Sequence, residues 1–121
     1  MKFMIMIHMN PAIWEGLTED QQEAVMDGHR KLLGEITDSG ELVSTYGLGD
    51  PELSSVVTVR DGVPVVTDGP YAEAKEYLAG FILVDVESRD RAHEIAARVP
   101  DAALGVGVEV RPVMYPSGDD V

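Results

Sequence analysis

The stretch Lys2-Phe3-Met4-Ile5-Met6-Ile7-His8-Met9 decides the fold. Phe3, Ile5 and Ile7 alternate with Met4, Met6 and His8, the spacing of a β-strand that is apolar on both sides nearly to its end. Gly80 to Val86 repeats the pattern, with Phe81 and Leu83 opposing Ile82, Val84 and Val86. A sheet with helices on one side only alternates apolar with polar residues. Two strands of this kind therefore give the sheet two apolar layers, each needing cover. The same opening run has the outline of a signal peptide, but it stops at His8 and Asn10-Pro11 without a small-residue cleavage site. It is also too short to span a bilayer. A first strand, and a cytoplasmic location, are expected.

The elements downstream follow from local signals. Thr18-x-x-Gln21 has the form of a capping box and opens a helix. Val25, His29, Leu32, Leu33 and Ile36 then recur at helical spacing, and Gly40 closes it. A second strand runs near Glu41 to Leu48, and Gly49-Asp50-Pro51 breaks the chain. Ser55 to Arg60 and Val63 to Thr67 flank Asp61-Gly62, a hairpin signal. A loop, with at most one helical turn, spans Asp68 to Leu78, and the Gly80 to Val86 strand follows. Ser88 caps a second long helix with Ala92, Ile95, Ala96 and Val99 on one stripe, ended by Pro100. Val106 to Val113 is the last strand.

Without the hairpin the order is β-α-β-β-α-β, the ferredoxin-like split βαβ arrangement of an α+β domain. Both helices cover one face of a four-stranded sheet. A second copy of the chain is the expected cover for the other face, giving a homodimer around a shared cavity. The alternative cover is the Asp50–Leu78 insertion, folded back as a lid. Residues 1–115 read as one domain and 116–121 as a flexible acidic tail.

Composition bounds the partners. The 121 residues hold 9 Lys and Arg against 22 Asp and Glu, a formal net charge of −13, with no cysteine and 45% apolar residues. So acidic a chain repels phosphate backbones and anionic lipid, disfavouring nucleic-acid and membrane partners. The missing cysteines exclude disulfides, thiol nucleophiles and thiolate metal sites. His8, His29 and His93 have no metal-ligand spacing, no phosphate-binding loop follows a strand, and no serine elbow is present. Neither metal nor cofactor is indicated.

Five residues carry the candidate chemistry, each against a structural alternative. His29 interrupts the apolar stripe of the first long helix, where it can act as a base in a low-polarity cleft or as a core-edge histidine. Asp68, in Asp68-Gly69-Pro70, is a turn former or a catalytic carboxylate at a cavity mouth, with Glu73 and Lys75 nearby. His8 lies on the Met4–Met6 side of the first strand, where Glu109 or Arg111 of the last strand is its neighbour. Such a group would hold an anionic substrate or form a rim salt bridge. Tyr46, near the end of the second strand, donates to a substrate oxygen or caps the sheet edge. Trp14 and Tyr71 are packing anchors, and Glu94 with Arg98 forms a solvated i,i+4 pair.

The stretch Val66-Thr67-Asp68-Gly69-Pro70-Tyr71-Ala72-Glu73-Ala74-Lys75-Glu76 resembles the signature of the YCII-related proteins, in their DGPF branch, with Tyr71 where Phe is usual. Arg60-Asp61-Gly62, Leu78-Ala79-Gly80-Phe81 and Val108-Glu109-Val110-Arg111-Pro112-Val113 continue the likeness. The resemblance implies a dimeric α+β barrel of ferredoxin-like subunits. It also implies a catalytic pair: a helix histidine, which corresponds to His29, and an aspartate beside a proline after the second helix. By position the aspartate does not carry over, because Val99 precedes Pro100 and Asp101 lies beyond it. Two functions fit. One is a cofactor-independent enzyme, a lyase or isomerase, moving a proton on a small organic molecule with His29 or His8 as the base, helped by a carboxylate such as Asp68. The other is a non-catalytic small-ligand-binding or regulatory module.

Overall fold

A computed structural model describes residues 1–69 and 75–114. Tyr71, Glu73 and the tail from Pro116 to Val121, on which expectations were placed, lie outside the described residues. The chain begins with β1 (Lys2–Met9), α1 (Pro11–Glu15), α2 (Glu19–Asp38) and β2 (Leu42–Gly47). The hairpin strands β3 (Ser55–Arg60) and β4 (Val63–Asp68) follow, then β5 (Tyr77–Asp85), α3 (Arg89–Ala97) and β6 (Val108–Pro112). Short 3-10 turns occupy Pro51–Leu53 and Pro100–Ala103. The main sheet is antiparallel with order β2-β5-β1-β6, and β3-β4 forms a separate two-stranded sheet.

Local chemistry accounts for the boundaries. The Gln21 N–H donates to Thr18 Oγ1 at 3.1 Å and the Thr18 N–H to Gln21 Oε1 at 2.8 Å, closing the capping box of α2. The Arg91 N–H donates to Ser88 Oγ at 3.1 Å, capping α3. Asp61 and Gly62 take φ of 51° and 78°, the left-handed geometry that matches a two-residue turn to strand twist. The sequence reading lacks α1, which Asn10 caps from its side chain and Pro11 starts, a combination suited to a first helical turn. β5 begins at Tyr77, ahead of Gly80, because a bulge between Ile7 and His8 moves the pairing to His8 with Leu78.

One sheet face is dry. Phe3, Ile5 and Ile7 of β1 and Ile82 and Val84 of β5 pack with Leu32 and Ile36 of α2 and with Ile95 of α3. Full burial of each such side chain is worth about 1.5–3 kcal/mol. The opposite face carries Met4, Met6 and His8, aligned with Leu83 and Phe81 on one side and with Arg111 and Glu109 on the other. These are only half-buried or exposed. The hairpin does not join this sheet, and its cross-strand pair Val57 and Val66 is 61% and 65% exposed. Along its described length it is thus not a packed lid. Arg98 meets Glu35 of α2 rather than Glu94, which pairs with Arg91.

Candidate active site

His29 projects from the middle of α2, and its ring Nε2 lies 2.5 Å from Asp101 Oδ1. Asp101 is 4% exposed, the only polar or charged side chain in the core among the described residues. It arrives by way of the turn that follows α3. Pro100 opens that turn with its fixed φ, and the next residue is swung back onto α2. The carboxylate that meets His29 is therefore Asp101, and not Asp68. Asp68 ends β4, pairs with Ser55 on the separate hairpin sheet and is exposed. A position-by-position reading set Asp101 aside because it follows the proline; the compact turn makes that order immaterial.

A cavity of about 240 Å³ lies beside His29, walled by Met26 and Leu33 of α2, Ile7, Thr45, Tyr46 and Phe81. Its sheet side is opened by glycines: Gly47 of β2 pairs with Gly80 of β5, and both line the space. A Cβ at Gly80 would lie 2.7 Å from the Tyr46 carbonyl oxygen, so the close approach of β2 and β5 there requires glycine. At Gly47 a Cβ would meet nothing within 4 Å. The Tyr46 ring stands 5.7 Å from that of Phe81, with its own side chain largely exposed. Thr45 Oγ1 donates to the Phe81 carbonyl at 2.9 Å, so its hydroxyl proton is committed. Tyr46 borders the cavity by its place in β2, but its ring lies with that of Phe81 on the open face, across the sheet from His29.

His8 and Arg111 belong elsewhere, on the open face. His8 Nε2 is 3.0 Å from Glu109 Oε1, and Arg111 donates to the other oxygen of the same carboxylate. Hydrogen bonds from His8 and then from Arg111 hold the Glu109 carboxyl below its ordinary range. His8, His29 and Asp68 therefore do not share one cavity. Burial, and then the charges of Asp50 and Asp101, push the Tyr77 phenol up. Tyr77 was missed in the sequence reading, which began its strand too late. Among the described residues no group of three or more His, Cys, Asp or Glu is placed to hold a metal ion. No helix among them is long and apolar enough to cross a membrane.

A buried His–Asp pair constrains its own chemistry. With the carboxylate ionised, Nε2–H donates to Asp101, which fixes the tautomer and leaves the Nδ1 lone pair to accept a proton. A carboxylate so placed also orients the ring and would stabilise an imidazolium formed on it.

The topology and the core define an α+β domain of ferredoxin-like order with one inserted hairpin. More particularly, the sequence matches the YCII-related domain family over residues 1–115, and the chain belongs to that family. It is 27% identical over 121 residues to an uncharacterized protein of Rhizobium meliloti (strain 1021), covering 98% of each chain. Among solved structures it is similar to 5-chloro-2-hydroxyhydroquinone dehydrochlorinase (TftG) from Burkholderia phenoliruptrix AC1100, in complex with 2,5-dihydroxybenzoquinone. That likeness has a TM-score of 0.50 at 14% identity and covers 96% of each chain, and it shows the shared fold.

Proposed function

We propose that the chain is a cofactor-independent enzyme of lyase or isomerase type, in which His29, oriented by Asp101, moves a proton on a small organic molecule held in the adjoining cavity. The 2.5 Å contact between His29 and a carboxylate that is 4% exposed carries this reading. Buried carboxylates are uncommon outside pairs and sites, and a single dry partner for an imidazole is the arrangement that general base catalysis uses. The cavity is small and mostly apolar, which suits one ring with a few polar substituents. The neighbour's dihydroxybenzoquinone complex suggests hydroxylated single-ring compounds, with and without chlorine, as probes.

The open face supports a homodimer. Met4, Met6, Phe81 and Leu83 form an apolar layer there, and the hairpin valines add a second exposed apolar strip. An isolated two-stranded hairpin is marginal in water, so packing on a partner subunit would stabilise it. Light scattering after size exclusion should give twice the chain mass of 13.1 kDa. A monomer at all concentrations would end the dimer reading.

The enzyme reading is tested with the probe panel followed by absorbance and by product analysis. His29→Gln and Asp101→Asn should each lower turnover by about 10²-fold or more with the circular dichroism spectrum unchanged. Gly47→Leu, which fills open space beside His29, should remove binding of the same probes. Probe binding without turnover, indifferent to His29→Gln, would instead establish a ligand-binding module.

A further inference from the structure

His29 and Asp101 are each preceded by a residue that touches the other's predecessor. A Cβ at Gly28 would lie 2.6 Å from Pro100 Cγ and 3.7 Å from Pro100 Cβ. Ordinary carbon contacts fall at about 3.5–4 Å, so only a hydrogen fits between α2 and the proline ring. The ring is covalently closed, so Cγ shifts only by puckering and the ring cannot rotate out of the way. Gly28 sits within α2, where glycine is a poor helix former. Gly34 of the same helix, by contrast, has nothing within 4 Å of where its Cβ would be. Gly28 thus gives up helix propensity where α2 meets the proline that precedes Asp101.

We propose that Gly28 is a positioning residue: its missing methyl lets Pro100 seat against α2 and so sets the His29–Asp101 hydrogen bond. The inference rests on the reading of His29 as the base, and extends it to the contact that aligns the base. An added methyl must drive the ring outward by about 1 Å to reach van der Waals separation. Pro100 and Asp101 are consecutive in one tight turn, so the carboxylate moves with the ring. A displacement of that size takes a 2.5 Å contact beyond the usual limit of about 3.2 Å. Local packing loss alone would lower stability without singling out the His29 ring.

The test follows the His29 ring proton by ¹⁵N-resolved NMR on the whole chain, measuring its exchange with water. The wild-type proton should be protected and shifted downfield by its carboxylate partner. Gly28→Ala should speed its exchange about tenfold or more, whereas Gly34→Ala should leave it unchanged. The double variant Gly28→Ala with Pro100→Ala removes the colliding ring atoms and should show the same protection as Pro100→Ala alone, which carries any effect of losing the fixed φ. An unchanged ring proton in Gly28→Ala overturns the proposal. If Gly28→Ala does not fold, the double variant decides: protection equal to that of Pro100→Ala alone supports the proposal and weaker protection overturns it. Because the readout is a hydrogen bond, it is separate from turnover. Loss of protection in Gly28→Ala alongside a His29→Gln enzyme that still turns over would fail the base reading and not the positional one.

Discussion

Each face of the main sheet holds a histidine against a carboxylate, and the two pairs differ in almost everything but composition. On the helix side His29 and Asp101 are 2.5 Å apart, with side chains 18% and 5% exposed. On the open side His8 and Glu109 are 3.0 Å apart, 30% and 36% exposed, and Arg111 shares the carboxylate. Water screens the outer pair and the Arg111 guanidinium already answers the carboxylate's charge, so it is an ordinary surface pair in the single chain. The inner carboxylate has lost its water and faces one imidazole, which makes ring orientation and proton position matter. Environment, and not residue type, separates a candidate site from a salt bridge here.

The largest test of that contrast concerns the apolar layers. Ile82→Ala on the helix side, at a position 1% exposed, should destabilise by about 2–5 kcal/mol in urea titration. Met6→Ala on the open side should cost less than Ile82→Ala in a dilute, monomeric chain, since its side chain is already partly in water. If a second copy covers that face, the Met6→Ala penalty should grow with protein concentration while that of Ile82→Ala does not. Equal penalties at every concentration would show that the open layer is covered within the chain itself.

Removing each histidine sharpens the contrast next. His29→Ala leaves the Asp101 carboxylate buried without its partner and should lower stability by about 1–3 kcal/mol at neutral pH. His8→Ala leaves Glu109 with Arg111 and with solvent, so its unfolding midpoint should stay within error of wild type. That equality should persist at about 1 M salt, where screening acts over about 3 Å. A large His8→Ala effect would mean that the open-face pair is buried in the working assembly. Among exposed positions, Gly34→Ala should raise stability by up to about 1 kcal/mol through helix propensity alone.

How much of this was legible depended on how far each signal reached along the chain. The two-sided apolar pattern of Phe3 to Ile7 marks the strand and its uncovered face because a strand's period is local. Thr18 with Gln21, and Asp61 with Gly62, are likewise complete within a few residues. The His8–Glu109 neighbourhood was readable too, since split βαβ order puts the last strand beside the first. Asp101 was not, because 72 residues separate it from His29 and its approach depends on the Pro100 turn meeting a helix at Gly28. Nothing in periodicity reports such a contact. Leu33 reads as helix core, and only the glycine pair at Gly47 and Gly80 turns the space beside it into a cavity. Asp68 pointed the wrong way for a related reason: a turn former at a strand end has the same residues whether or not a site lies beside it.

Two glutamates extend the same comparison to pH. Glu41, just before β2, receives two hydrogen bonds from the Arg91 guanidinium of α3, at 2.8 and 2.9 Å, with its side chain 17% exposed. The Arg91 hydrogen bond holds its carboxyl at about 2, below the ordinary value of 4.5. Glu109 is lowered as well, but on the exposed face. For a depressed carboxylate the unfolded chain binds the proton more readily than the folded one. Its stabilisation is therefore complete above about pH 4.5 and is lost as pH falls toward about 2. Glu41→Gln should cost about 1 kcal/mol at pH 7, and the difference from wild type should close across that acid window. Glu109→Gln should leave the acid branch almost unmoved, because solvent replaces what Arg111 and His8 provide. If Glu109→Gln flattened that branch as strongly as Glu41→Gln, the outer ion pair would be as dry as the inner one, and the distinction between the two faces would fail.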